Sequence, residues 1–186
     1  MRHPSVHSAI ARALAPLVGL RLWGPTRASN MLSLQLGAPT GSPTRPAPER
    51  QAGEYALQVF CAWRLTRGAA LLAGSGDLFT PADPDEEIET FDYEAPGATW
   101  WDARVAAYFG AAPADGPRVA AVDSDAFGGA RFTLDDGAVL ELFPNSAPAE
   151  HVETEFWRLV RPHSLDVVVG TVGVDEIKGI EPRGVD

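Results

Sequence analysis

The sequence predicts an α+β fold in which curved, mainly antiparallel sheets come from two similar β-units and carry one or two packed helices. Three observations lead to this prediction. Several short segments alternate apolar and polar residues with the period of two that half-buried strands show. Two segments have the three- and four-residue apolar spacing of amphipathic helices. The chain also matches itself, because Trp63-Arg-Leu-Thr-Arg67 is repeated as Trp157-Arg-Leu-Val-Arg161, which favours a duplicated unit.

The N-terminal segment predicts a helix, a strand and a loop in that order. Residues 5–17 have the spacing of a short amphipathic helix, which Pro16 is expected to end or kink. In residues 29–36 leucines alternate with smaller or polar residues, which indicates a half-buried strand. Residues 38–52 are rich in proline, glycine, serine and threonine, so we expect a loop.

The most regular strand pattern lies between residues 54 and 65. Every second residue is apolar there, which predicts one long strand with one face in the core. A shorter strand is expected at 69–73, after a turn at Gly68. The repeated tryptophans, Trp63 and Trp157, are predicted to be buried because large rings bury the most area. The arginine after each of them should then lie on the opposite face and pair with a glutamate.

The middle of the chain predicts an acidic loop and a helix. Residues 77–95 combine many carboxylates with prolines, which is typical of a solvated loop. Residues 99–109 have helical apolar spacing, with Thr99 as the N-cap and Gly110 at the C-cap. Its expected apolar stripe consists of Trp100, Trp101, Val105, Tyr108 and Phe109.

The C-terminal half predicts strands at 118–122, 130–134 and 138–143, with a hairpin turn at Asp135-Asp136-Gly137. Two registers are open for this hairpin, and they differ in which side chains face each other.

A two-residue turn would set Phe132 opposite Glu141. A three-residue loop with Gly137 in the left-handed conformation sets Phe132 opposite Leu140 and Arg131 opposite Glu141. We prefer the second register because it keeps one face apolar and pairs opposite charges.

We expect one domain over residues 1–186. Its parts are a first β-unit (20–77), an acidic linker (78–98), a helix (99–110) and a second β-unit (117–177).

The charge of the chain limits its partners. The formal net charge is −10, which disfavours nucleic-acid binding because the chain would repel phosphate. The same charge suits solubility or docking on a basic protein. The apolar stretch near the N-terminus is too short and too interrupted for a membrane span, so we expect a cytoplasmic protein that does not associate with membranes.

No catalytic constellation, metal site or cofactor site is predicted. His3 and His7 have one-turn helical spacing but no acidic or cysteine partner nearby, and the segment 151–155 lacks the spacing of a metalloprotease helix. The segment 123–125 is interpreted as a turn between strands, and Cys61 as a small buried core residue. We therefore predict a protein that is not an enzyme.

The Asp136-Gly137 turn, the following strand that ends at Phe143-Pro144, and the segment Glu155-Phe-Trp-Arg-Leu159 carry a resemblance. Together they resemble a group of uncharacterised small bacterial proteins, many from actinobacteria, with the same Asp-Gly and Trp-Arg-Leu motifs. Some of that group are similar to immunity proteins of polymorphic toxin systems. The resemblance implies a fold and a neutralising role, and it transfers no catalytic residue.

Two functional hypotheses follow. The first is an acidic binding protein, an immunity protein that neutralises a basic toxin through the acidic loop. Its expected contact residues are Asp83, Asp85, Glu86, Glu87 and Glu89. The alternative is a small-molecule-binding domain with an aromatic-lined pocket between the two β-units. That pocket would be lined by Trp100, Trp101 and Tyr108.

Overall fold

A computed structural model describes residues 5–40, 52–112, 114–147, 152–161 and 164–178. In these ranges the chain forms two α-helices, two short 3-10 turns and eleven strands. The helices are α1 (Val6–Leu14) and α2 (Trp100–Phe109), and the 3-10 turns are Ala15–Leu17 and Ser75–Phe79. The strands are β1 (Leu22–Ala28), β2 (Met31–Leu36), β3 (Tyr55–Val59), β4 (Ala62–Arg67), β5 (Ala70–Gly74), β6 (Val119–Ser124), β7 (Ala130–Leu134), β8 (Ala138–Phe143), β9 (Glu155–Val160), β10 (Leu165–Gly170) and β11 (Gly173–Lys178).

The strands form two antiparallel sheets, which confirms the α+β prediction. The first sheet has the order β1-β2-β3-β9-β10-β11 and the second has the order β5-β4-β8-β7-β6. Each sheet contains strands from both halves of the sequence. The two repeated segments begin corresponding hairpins, β4–β5 in the second sheet and β9–β10 in the first.

The predicted single strand at 54–65 is wrong. β3 ends at Val59 in the first sheet, and β4 begins at Ala62 in the second. At the crossing, the N–H groups of Phe60 and Cys61 both donate to the Phe156 carbonyl, at 2.9 and 3.0 Å. The period-two alternation continues through the crossing because the buried residues of β3 and those of β4 face the same core.

The core lies between the two sheets, and both repeated tryptophans are buried in it, as predicted. Trp157 donates its indole N–H to the Gly128 carbonyl at 2.7 Å, so its polar atom is satisfied in the core. The arginines that follow the tryptophans lie on the outer faces. Arg64 Nε pairs with Glu141 at 2.8 Å, and Arg158 Nη2 pairs with Glu155 at 2.8 Å.

The helices close the two open sides of the sandwich. α1 packs against β6 and β11, and α2 packs against β1 and β5. The side chains of α2 that reach the core are Trp101, Val105 and Phe109. The predicted apolar stripe is wrong at Trp100, which is 36% exposed, whereas Tyr108 is half-buried and packs against the core. Within the described residues, no helix is long and apolar enough to cross a lipid bilayer.

The preferred hairpin register is confirmed. Phe132 lies opposite Leu140 and Arg131 lies opposite Glu141. Gly137 has a φ of +82°, which is the left-handed conformation that the three-residue loop requires.

Strand β1 was not predicted, and its sequence explains why. Gly24 and Pro25 interrupt the alternation, and the pairing with β2 shifts register between Trp23 and Thr26. Such a β-bulge interrupts the period-two alternation, so the sequence pattern does not indicate a strand here. Of the loop predicted at 38–52, residues 41–51 lie outside the described residues.

Candidate partner-binding surface

The loop predicted at 77–95 begins later in the structure, because Asp77, Leu78 and Phe79 belong to the 3-10 turn and Leu78 is buried. The acidic loop is therefore defined from here on as residues 82–98, and it leaves and rejoins the fold at one place. Pro81 and Thr99 form an antiparallel bridge across its stem. Next to the bridge, the Ala82 N–H donates to the Ala98 carbonyl at 2.8 Å, and the Trp100 N–H donates to the Thr80 carbonyl at 2.9 Å. Because both ends are fixed to each other, the loop is a compact excursion rather than an open linker.

A side chain from β1 holds the base of the loop. Arg27 Nε donates to Asp102 Oδ1 at 2.9 Å, and its Nη2 donates to Asp102 Oδ2 at 3.2 Å and to the Ala95 carbonyl at 3.2 Å. The two side chains are only 12% and 17% exposed. Arg27 therefore joins β1, the first turn of α2 and the end of the acidic loop.

Asp102 also completes the start of α2. Its Oδ2 accepts from the Thr99 backbone N–H at 3.3 Å, and its own N–H donates to Thr99 Oγ1 at 3.1 Å. This reciprocal pair is a capping box that satisfies free amides of the first turn. The predicted N-cap at Thr99 is thus confirmed.

The environment of Asp102 keeps its carboxylate ionised. Partial burial is the largest single influence and raises its pKa, but the hydrogen bonds from Arg27 and Thr99 and the charge of Arg27 together hold the pKa below the ordinary value. The hydrogen bond to Asp102 in turn raises the pKa of Arg27. Both groups are charged at neutral pH, so the base of the loop is held by a persistent ion pair.

Within the loop, two aspartates shape the backbone. Asp83 Oδ1 accepts the Asp85 N–H at 2.9 Å, and Asp92 Oδ1 accepts the Glu94 N–H at 2.9 Å. Such side-chain-to-backbone bonds fix tight turns. The loop thus has defined turns as well as a closed stem.

The five carboxylates predicted to contact a partner all lie on this loop and are all exposed, as expected for a solvated loop. They are Asp83, Asp85, Glu86, Glu87 and Glu89. Among the residues that the structure describes, none of the five has a salt-bridge partner. Their charge is therefore directed at solvent instead of being neutralised within the fold, and their role in binding stays a prediction.

Apolar side chains stand among these charges. Ile88 is 72% exposed between Glu87 and Glu89. Phe79, at the stem, is 61% exposed, and its ring packs on Tyr93 with centroids 5.6 Å apart. Apolar groups surrounded by a charged rim are the usual composition of a protein-binding surface.

The three aromatic residues of the alternative hypothesis have different surroundings. Trp101 is 5% exposed and packs into the core. The Trp100 ring is covered on one face by the Arg104 guanidinium, 3.7 Å from its centroid. The Tyr108 hydroxyl donates to the carboxylate of Asp136 at 3.0 Å. Trp101 is thus part of the core, Trp100 is exposed beside Arg104, and a ligand role for the three stays a prediction.

Tyr108 belongs to a cluster that fastens α2 to the second sheet. Arg67, from β4, forms a salt bridge with Asp136 and lies 5.7 Å from the Tyr108 ring centroid. Partial burial, followed by the hydrogen bond to Asp136, raises the pKa of Tyr108. Tyr108 is therefore a neutral hydrogen-bond donor at physiological pH, and its role here is to hold the helix in place.

The contacts of the other candidate residues, Cys61, Asp125 and His7, give them structural roles. Cys61 is 7% exposed, and burial raises the pKa of its thiol to about 11, so it is protonated and weakly nucleophilic at neutral pH. The turn predicted at 123–125 begins later, because Asp123 and Ser124 pair with β7 as part of β6. Asp125 Oδ1 accepts from the N–H groups of Phe127 and Gly129, at 2.8 Å each, and so fixes the turn that follows. His7 Nδ1 lies 2.9 Å from the Ser124 carbonyl oxygen.

The remaining candidate histidines, His3 and His151, lie outside the described residues.

No protein-family model, no curated protein and no solved structure matches this chain. The likeness to immunity proteins accordingly stays a prediction. The proposals below are argued from the geometry and charge of the described residues.

Sequence reasoning found the acidic loop but missed what positions it. Arg27 and Asp102 are 75 positions apart, and neither residue stands out by itself. The only local signal was the Thr99-x-x-Asp102 spacing of a capping box.

Proposed function

We propose that the protein is a non-enzymatic binding protein that neutralises a basic protein partner in the cytoplasm, in the manner of an immunity protein acting on a basic toxin such as a nuclease. One observation carries the proposal. The acidic loop presents exposed carboxylates, without salt-bridge partners in the described part of the chain, on a base closed by the Arg27–Asp102 pair.

Unpaired surface charge favours association with a basic protein in two ways. A patch of one sign steers an oppositely charged partner and raises the association rate. It also disfavours wrong partners, because nucleic acids and other acidic proteins are repelled. A toxin that acts on nucleic acid needs a basic surface for its substrate, and an acidic inhibitor can cover that surface.

The anchored geometry supports the same proposal. Ordering a flexible loop on binding costs conformational entropy, which reduces affinity. In this chain the stem bridge and the Asp83 and Asp92 turns fix much of the loop before a partner arrives. Ile88 adds an apolar contact that salt does not screen.

A pull-down from the producing bacterium tests the proposal. The tagged protein is incubated with lysate at low and high salt, and bound proteins are identified by mass spectrometry. We expect one basic protein, held at low salt and weakened at high salt. No specific partner at either salt concentration would contradict the neutralising role.

A matched pair of variants tests the part played by the loop. The triple variant E86Q/E87Q/E89Q removes three exposed charges and leaves the turn-forming aspartates intact. The control D123N/E153Q/D175N removes three exposed charges elsewhere. We expect the loop variant to lose most of the capture at low salt and the control to keep it. Equal losses would mean that net charge acts without a specific contact at the loop.

A further inference from the structure

The outer face of the second sheet is uncovered over its central strands in the described part of the chain, where Arg64, Arg131 and Phe143 are exposed. The helices pack mainly on the edge strands of this sheet, α1 on β6 and α2 on β5. Because side chains alternate between the two faces of a strand, the outward residues of β4, β8, β7 and β6 form rows across the strands. These rows are Ala62 and Phe143; Arg64, Glu141, Arg131 and Asp123; and Thr66, Val139, Thr133 and Ala121.

The middle row alternates in charge along its whole length. Arg64 lies opposite Glu141, which in turn lies opposite Arg131. Asp123 lies opposite Arg131 on the other side and ends the row. Because the row begins with a positive charge and ends with a negative one, a copy that is turned end for end meets it with an opposite charge at every position. Such complementarity favours one orientation of two surfaces over others.

The charged groups of this row keep bonding capacity for a second surface. Glu141 lies 2.8 Å from Arg64 Nε and 3.5 Å from Arg131 Nη1. The two arginine side chains are nevertheless 51% and 56% exposed, and each guanidinium carries five N–H donors, so donors remain that Glu141 does not occupy. Asp123 is exposed, and among the described residues it has no salt-bridge partner.

An exposed ring and a depression lie next to each other on the same face. The ring is that of Phe143, and the Arg64 guanidinium lies 4.7 Å from its centroid. The depression has a volume of about 190 Å³, and its lining includes Asp123, Asp125 and Gly129. Gly129 and Phe143 lie at one level, since each is two residues beyond the facing pair of the middle row. In a copy turned end for end, the Arg64–Phe143 pair therefore lies over the depression and its carboxylates.

We propose that this face binds a second copy of the chain, related to the first by a two-fold axis that runs parallel to the strands between β7 and β8. The axis reverses the strand order, so β4 lies over β6 of the second copy and β8 lies over β7. Arg64 of each copy then faces Asp123 of the other, and Arg131 faces Glu141. An interface of this kind is self-complementary, and sheets pack face to face in this way about 10 Å apart.

The charge and size of the face indicate a weak dimer. The chain has a formal net charge of −10, so two copies repel each other over most of their surfaces, whereas the middle row has two arginines and two carboxylates and is neutral. Four strands and five residues span about 19 by 17 Å, an area of about 320 Å², below the roughly 800 Å² that each partner buries in a standard interface. We therefore expect the dimer only at high protein concentration. No residue of the acidic loop lies on this face, so the dimer is independent of the proposed partner binding.

Sedimentation velocity of the full chain, from micromolar to millimolar concentration, tests the dimer by an exchange of charges. Arg64→Asp and Asp123→Arg each set like charges against each other across the two-fold axis. Each variant alone should therefore stay monomeric at a concentration at which the wild type dimerises. An equimolar mixture of the two variants restores opposite charges at both contacts, so the mixture should dimerise.

The controls Arg12→Asp and Asp175→Arg make the same changes in net charge at exposed positions away from this face, and each alone should dimerise as the wild type does. Recovery in the mixture also excludes misfolding as the cause of the loss, because an unfolded variant would not regain association. Three results would each overturn the proposal: a wild type that is monomeric even at millimolar concentration, single variants that dimerise as the wild type does, or a mixture that stays monomeric.

Discussion

Replacing Arg27 by methionine removes the link between β1, α2 and the acidic loop while it keeps an unbranched apolar side chain in place. The change breaks both hydrogen bonds to Asp102 and the one to the Ala95 carbonyl. It also leaves the Asp102 carboxylate without its counter-charge in a site that is 17% exposed.

The size of the effect follows from this burial. Removing one partner of a fully buried ion pair costs about 3–5 kcal/mol. Here the residual exposure lets water reach Asp102, and its bonds with Thr99 remain, so we expect a loss of about 2–3 kcal/mol in the free energy of unfolding. In a chain of this size each kcal/mol lowers the melting temperature by roughly 2–4 °C.

Urea unfolding followed by tryptophan fluorescence measures this loss, with Arg131→Met as the control. Arg131 is 56% exposed and lies 3.5 Å from Glu141, so its removal should cost about 0–1 kcal/mol. Amide hydrogen exchange gives the local readout, and in Arg27→Met we expect loss of protection at the stem amides of Ala82 and Trp100.

Two results would refute the reasoning. If the two variants lose equal stability, the Arg27–Asp102 pair contributes no more than an exposed surface pair. If the stem amides of Arg27→Met keep their protection, the acidic loop is held by its backbone bridge alone.

Three further predictions concern acid stability, the core and the thiol. The pKa of Asp102 is lowered in the folded protein, so the stabilising effect of its ionised carboxylate is present above pH about 4 and is lost as the pH falls through the folded pKa. The difference in unfolding free energy between the wild type and Arg27→Met should therefore shrink in acid. Urea titrations at several pH values measure this difference. Trp157→Phe should lower the free energy of unfolding by about 2–3 kcal/mol, because it removes the hydrogen bond and part of the volume of a fully buried indole. The control Trp100→Phe changes a side chain that is 36% exposed, and it should lower the free energy of unfolding by less than about 1 kcal/mol. Cys61 should resist an aromatic disulfide reagent at pH 8 in the native protein and react at once in urea, since it is buried and its pKa is about 11; fast reaction of the native protein would contradict the described burial.

The parts of the fold that could be predicted from the sequence are those with a local chemical cause. The hairpin register follows from the position of Gly137 and from the choice between an Arg131–Glu141 pair and a Phe132–Glu141 pair. The burial of Trp63 and Trp157 follows from period-two alternation. In each case residues of one strand or of one hairpin, at most ten positions apart, carry the signal.

The parts that could not be predicted depend on distant contacts. The crossing at Phe60 and Cys61 is set by the Phe156 carbonyl, far along the chain, so the alternation gives no sign of it. The acidic loop could be found from its composition, but its anchoring could not, because Arg27 meets Asp102 only after β1 and α2 have packed together.

The salt dependence of partner binding tests the central claim most directly. The affinity of the captured partner is measured over a range of salt concentrations for the wild type and for E86Q/E87Q/E89Q. If the acidic loop is the electrostatic contact, the affinity of the wild type falls steeply with salt and the variant shows a weaker affinity with a shallower slope. Identical affinities and slopes for the two proteins would contradict the claim.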